Sequence, residues 1–264
     1  MTSQRTEYPD YGTAIYRREL RVRLSPGLAL GELIDDFHHF RAAVKHTGGQ
    51  ITDVQAETPR YPWTTCPGAA EPLRELVGTP LSPRMRGPAE HTRARSQCTH
   101  LFDAACIAIA RAGRAAGDVT YRIAIPDRVE GRTRATLERD GVLRLDWTLM
   151  GYNIESPAPF AGRSVLRGFA GWVEDTFDAE QAEAILILQR ASVISLGREI
   201  DIEAISRADL GKKIPMGACY TYQPGRAEQG FRMVGSARNL THESDIEGAS
   251  LTPARRLTGQ ARSG

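Results

Sequence analysis

The run AIYRRELRVRLS, residues 14–25, keeps Tyr16, Leu20, Val22 and Leu24 in step and sets Arg17, Glu19, Arg21 and Arg23 between them. Strand side chains point alternately to two faces, so this is the period-two pattern of a half-buried strand. The same reading extends outward. Leu28–Leu33 makes a second, short strand and Leu33–Lys45 a longer one. Thr47-Gly48-Gly49-Gln50 is a hairpin turn leading into ITDVQAET, residues 51–58. Farther on, VTYRIAI (119–125), RTRATLE (132–138) and VLRLDWTLM (142–150) form a three-strand meander, with Asp140-Gly141 as the favoured hairpin dipeptide.

Three helices join these strands. One opens at Pro67 and runs through AAEPLRELV to Gly78, weakened by Pro72 inside it. QCTHLFDAACIAIARAG, residues 97–113, is a stronger one. A long helix over 178–196 carries apolar residues around much of its circumference, which suits a central position or an interface with a second copy. Residues 79–96 and ESPAPFAGR read as loops. Strands mixed with helices, without regular βαβ alternation, predict an α+β fold: antiparallel hairpins and a meander packed on about three helices, one long and buried. The expected organisation is an extension over 1–14, one domain over 15–236 and a polar, disordered tail over 237–264.

The 264 residues are 41% hydrophobic and carry a net charge of only +2, which gives no electrostatic case for nucleic acid. Arg84, Arg86, Arg93 and Arg95 cluster, but proline and glycine interleave them without aromatics, as in a solvated loop. No apolar run reaches the roughly 18 residues of a membrane helix, and MTSQRTEYPDYG lacks a signal-peptide core. A cytoplasmic protein is expected, without a membrane partner and, from the apolar helix, as a homodimer. Cys66, Cys98, Cys106 and Cys219 are too few and irregular for a disulfide scaffold and read as free thiols. GxGxxG, GxxxxGK[ST] and GxSxG are absent, which argues against the usual dinucleotide, P-loop and α/β-hydrolase chemistries.

Candidate chemistry sits in three stretches. If Leu33–Lys45 is one strand, its even positions point inward, which places Asp36 and His38 beside Phe40 and leaves His39 on the surface. A buried ionisable pair is costly unless matched or used; the alternative is a core histidine tied to a backbone carbonyl. In Cys98-Thr99-His100-Leu101-Phe102-Asp103 the helix N-terminus favours a Cys98 thiolate, and Asp103, three residues on, shares a face with His100 and can orient it. Tyr61-Pro62-Trp63-Thr64-Thr65-Cys66 is a stiff loop with aromatic and hydroxyl groups suited to ligand contact, and Tyr152, Tyr220 and Tyr222 are weaker candidates of that type. Cys66, Cys98, His100 and His38 together suggest zinc, yet their spacing is not that of usual ligand sets, and the reading that follows has no metal or other cofactor.

IDDFHHFRAAVKHTGGQITDV, RYPWTTCPGAAEPLRELVG and QCTHLFD, taken together, resemble the bacterial domain-of-unknown-function 2889 family over roughly residues 15–115. Asp36, His38, Pro62, Cys66, Pro67, Cys98, Thr99, His100 and Leu101 fall on that family's pattern. The phenylcoumaran gamma-formaldehyde lyases of sphingomonads, which deformylate a lignin-derived aromatic dimer to a stilbene, look close to this group, and the chain resembles them in turn. That resemblance implies a cofactor-free carbon–carbon lyase. His38 or His100 would be the base and Asp36 or Asp103 its orienter. Tyr61 would donate to the phenolate, Trp63 and Phe40 would stack on the rings, and Thr65, Cys66 and Tyr152 would line the substrate. The competing expectations are a non-catalytic protein that binds a small aromatic or acyl ligand and a zinc-stabilised structural protein.

Overall fold

In the computed structural model, which describes residues 11–211, 214–242 and 246, the alternating segments become eight strands of one antiparallel sheet. In chain order these are β1 (Ile15–Ser25), β2 (Leu28–Asp35), β3 (His39–Thr47), β4 (Gln50–Arg60), β5 (Val119–Pro126), β6 (Arg132–Arg139), β7 (Val142–Met150) and β8 (Asn153–Ser156). Their spatial order is β4-β3-β2-β1-β5-β6-β7-β8. Two meanders thus meet at β1 and β5, whose register pairs Leu20 with Tyr121 and Tyr16 with Ile125. The fold is α+β, as the alternation predicted.

Paired residues across an antiparallel ladder share a face. Tyr16, Arg18, Leu20 and Val22 of β1 therefore lie on one side with Ala29, Gly31, Leu33 and Asp35 of β2 and with Tyr121, Ile123 and Ile125 of β5. Two helices cover that side: α2 (Thr99–Gly113) packs on β1–β3, and α4 (Ala179–Ile194) packs on β5–β7. The approach of α2 is close, since a Cβ built on Gly31 would fall 2.1 Å from the Ala104 carbonyl oxygen. The opposite side carries alternating charges in cross-strand pairs, Arg122–Glu19, Arg21–Glu32 and Arg41–Glu57, joined by a 2.7 Å contact between Arg41 and Glu32. Over this side Leu240 and Ile246 cover Ile34.

Several elements depart from the sequence reading. Leu33–Lys45 is not one strand: the chain turns at Asp36–His38, so β2 ends at Asp35 and β3 begins at His39. The helix expected from Pro67 is broken into 3₁₀ turns around α1 (Ala70–Leu73), because Pro72 supplies no amide proton for a regular ladder. Two elements arise where the sequence reading placed neither strand nor helix. β8 pairs with β7, and α3 (Phe169–Thr176) buries Phe169 and Val173 about one turn apart, with the Phe169 ring edge-on to Trp147. The long helix begins where Asp178 accepts hydrogen bonds from the Glu180 and Gln181 amides. Most of its apolar residues, Ile185 to Leu188 among them, are buried within the chain, which accounts for much of its composition. Of the expected tail, Ala237–His242 is placed on the sheet: Thr241 accepts from the Ile15 amide and from the Arg17 guanidinium. Its other positions, Ile246 apart, lie outside the described residues, as do residues 1–10 of the expected 1–14 extension. Among the described residues no helix is long and apolar enough to cross a membrane.

Candidate functional site

Asp35 makes the turn that separates β2 from β3. Its Oδ1 accepts from the amides of Phe37 (2.9 Å) and His38 (2.8 Å), and its own amide donates to the His38 carbonyl (2.9 Å). An aspartate that bonds the backbone two and three residues on replaces the usual glycine or proline of a tight turn. Arg60, at the end of β4, closes the turn from outside by donating to the carbonyls of Asp35, Asp36 and His38. The bend brings the imidazole of His38 back over its own carboxylate, with Nδ1 2.9 Å from Asp35 Oδ1. Because an ionised carboxylate only accepts, Nδ1 carries the proton and donates it. Asp35 Oδ2 in turn accepts from Tyr16 Oη (2.9 Å) and Arg18 Nη2 (2.7 Å), both inward-facing on β1.

His100 enters from the first turn of α2, where the Gly31 contact presses the helix onto β2. Its ring stacks on that of His38 with centroids 3.7 Å apart and planes 21° apart, and Phe40 packs against both. His100 Nε2 is 4.0 Å from Asp35 Oδ2 and has no hydrogen-bond partner, although the residue is only 8% exposed. Among the described residues, Asp35, His38 and His100 are the one set of three ligand-type side chains whose atoms all lie within 4.8 Å of one another.

The electrostatics follow from burial and neighbours. Burial alone would raise the Asp35 carboxyl, but His38 and Arg18 beside it hold it well below the usual carboxylate range. Burial lowers His38 against the pull of Asp35, and burial with the adjacent His38 and Arg18 holds His100 well below the ordinary imidazole value. Two stacked cations at this separation would repel by about 4 kcal/mol at an effective dielectric of 20, which disfavours double protonation of the pair.

The residues singled out in the sequence are only partly brought together. His38, His100 and Phe40 converge. Asp36 does not orient an imidazole: it binds Arg198 at 2.6 Å, and burial raises its carboxyl to about 7 against that arginine's pull. Asp103 bonds Arg190 at 3.1 Å instead of His100. Cys66 and Cys98 stand outside the converging set, which overturns their grouping with the imidazoles around zinc. Cys98 does precede α2, but burial drives its thiol well above the usual value, outweighing the helix end; burial takes Cys66 up to about 12. The stiff loop belongs to a separate cluster: Cys66 and Thr65 meet Thr221, while Trp63 stands edge-on to Tyr222 beneath Arg232. Tyr61 is half-buried against the core, and Tyr152 lies in the β7–β8 turn. His39, expected on the surface, is buried and bonded to Glu32 at 2.8 Å.

Sequence reasoning missed Asp35 and Arg18. A continuous strand put Asp35 on the outer face, whereas the turn makes it the buried centre of the cluster. Arg18 left a signal, since it occupies an inward phase of β1 between Tyr16 and Leu20.

Asp35, His38, Phe40 and His100 thus come from one continuous stretch, β2 through α2, and that stretch has counterparts among known proteins. Residues 27–112 match a protein family of unknown function, DUF2889. They are a DUF2889 family domain. No curated protein and no solved structure matches the chain. The DUF2889 domain supplies every member of the converging set, while Tyr16 and Arg18, which fix its carboxylate, and Arg190 and Arg198, which hold Asp103 and Asp36, lie outside it.

Proposed function

We propose that the Asp35–His38–His100 cluster is an acid–base centre for carbon–carbon cleavage that releases formaldehyde from a lignin-derived aromatic dimer of phenylcoumaran type, giving a stilbene. The observation that carries the reading is the unpartnered, buried Nε2 of His100, stacked on an imidazole whose other side is fixed by Asp35. A buried ring nitrogen without a partner is costly to maintain, and a reacting hydroxyl would satisfy it. In this reaction His100 takes the proton of the side-chain CH2OH, and the bond from that carbon to the dihydrofuran ring breaks. Formaldehyde leaves, the electron pair forms the stilbene double bond, and the ether opens to a phenolate that takes the proton back. Phe40 offers an aromatic wall beside both imidazoles, and Arg190, 39% exposed at its side chain, offers a cation on the side of Asp103. Asp35 replaces Asp36 and Asp103 as the orienting carboxylate in this scheme.

The test is incubation of the full chain with a phenylcoumaran dimer, following formaldehyde and stilbene together. Equal yields are expected, and His100→Gln lowers the rate by about 10²–10⁴-fold, the usual contribution of a positioned base. Cys66→Ser stays within a few-fold of the parent. Absence of formaldehyde from the unmodified protein overturns the lyase reading; saturable binding of the dimer without turnover would assign a ligand-binding role instead.

A further inference from the structure

We propose that Asp35, His38 and His100 bind one divalent transition-metal ion through Oδ1, Nδ1 and Nε2. The inference goes beyond the lyase reading, because it shares that reading's cluster and does not require its reaction.

The argument starts from distances. Nitrogen and oxygen ligands about 2.0–2.1 Å from an ion stand about 3.0–3.4 Å from each other at tetrahedral or octahedral angles. His38 Nδ1 and Asp35 Oδ1 are already 2.9 Å apart, and His100 Nε2 lies 4.0 Å from the second oxygen of the same carboxylate. The donor atoms of the three residues all lie within 4.8 Å of one another, and turning the two imidazoles out of their stack would bring them to that spacing.

Independent of those distances, His100 Nε2 is buried and unpartnered, and an ion would satisfy it. The surroundings resemble the outer shell of a metal site, in which neighbours fix the ligand groups before the ion arrives. Tyr16 Oη and Arg18 Nη2 hold Asp35 Oδ2, and the amides of Phe37 and His38 hold Oδ1. On loading, the ion takes the place of the Nδ1 proton of His38.

Three protein ligands leave a position for a small molecule, the pattern of a working site, not of a closed structural one. Two imidazoles and a carboxylate suit Zn2+, Co2+ or Fe2+ better than Ca2+ or Mg2+, which prefer oxygen alone.

The experiment strips the full chain with chelator and titrates it with Zn2+ by calorimetry and with Co2+ by visible absorption. Binding of a single equivalent is expected, with Co2+ bands typical of nitrogen and oxygen ligands and no thiolate charge-transfer band. His38→Ala and His100→Ala each weaken binding more than about tenfold, while Cys98→Ser and the exposed His91→Ala leave it unchanged. His100→Gln, closer in shape, serves if an alanine variant misfolds, with circular dichroism as the check. No saturable binding, binding that survives the histidine substitutions, or a thiolate band lost with Cys98→Ser would each overturn the proposal. Loading would occupy His100 Nε2 and remove it as a base, so ion binding and formaldehyde release are read separately and either can fail alone.

Discussion

At the scale of single residues, Asp35 is the most heavily committed side chain in the protein's centre. It accepts from Tyr16, Arg18, Phe37, His38 and the His38 ring, and its side chain is wholly buried. Removing one partner of a buried ion pair leaves the other uncompensated and typically costs about 3–5 kcal/mol. Asp35→Asn is therefore expected to lose stability of that order in urea unfolding, because it strands Arg18 and weakens the bond to His38. The thiols make a second case. Only the thiolate reacts readily, and burial raises all four, Cys66, Cys98, Cys106 and Cys219, so access decides which reacts first. At pH 8, mass spectrometry of iodoacetamide-treated protein should find Cys219, the least buried of the four, modified first and the other three only as the chain unfolds.

At the scale of elements, the site depends on how closely α2 lies on β2. Gly31 permits that approach, since an added methyl group would meet the Ala104 carbonyl. Gly31→Ala should cost about 1–3 kcal/mol through overpacking and should separate the His38 and His100 rings, which a loss of mutual perturbation in their NMR titrations would register. On the sheet's other side, Glu32 accepts from His39 and from Arg41 across the β2–β3 ladder. Burial would raise its carboxyl, but these two partners lower it below the usual 4.5. A carboxylate lowered on folding adds stability that is complete above its unfolded value and is lost as pH falls through the folded one. Denaturation midpoints should thus decline below about pH 4.5 in the parent protein, and Glu32→Gln should flatten part of that decline.

At the scale of the whole molecule, the late segment Ala237–His242 returns to the first strands. Leu240 covers Ile34, the Arg238 amide donates to the Asp36 carbonyl, and Thr241 receives the Ile15 amide. These contacts brace the outer side of the same turn that presents His38 inward. Leu240→Ala should cost about 2 kcal/mol, near the lower end for a buried leucine because the cluster it joins is small. Thermal unfolding measures that loss, and the stacking of His38 on His100 should survive it, since α2 and β2 are untouched.

The alternation of β1 and of the 119–150 meander, the glycine turns and the apolar periodicity of the helices specified an α+β protein without further help. Each of those signals is local, carried by residues a few positions apart that share one face or one turn. The site was only half legible by the same means. His38, Phe40 and His100 stood out as polar or aromatic groups in apolar stretches, but their partner did not. Whether Asp35 or Asp36 meets the imidazoles depends on a turn without glycine or proline, made by the Asp35 carboxylate and closed by Arg60 from another strand. That choice, together with the meeting of two imidazoles 62 positions apart (100 − 38) in the chain, belongs to the tertiary structure. Long-range packing of α2 on Gly31, and not any local preference, decides which charges are buried together.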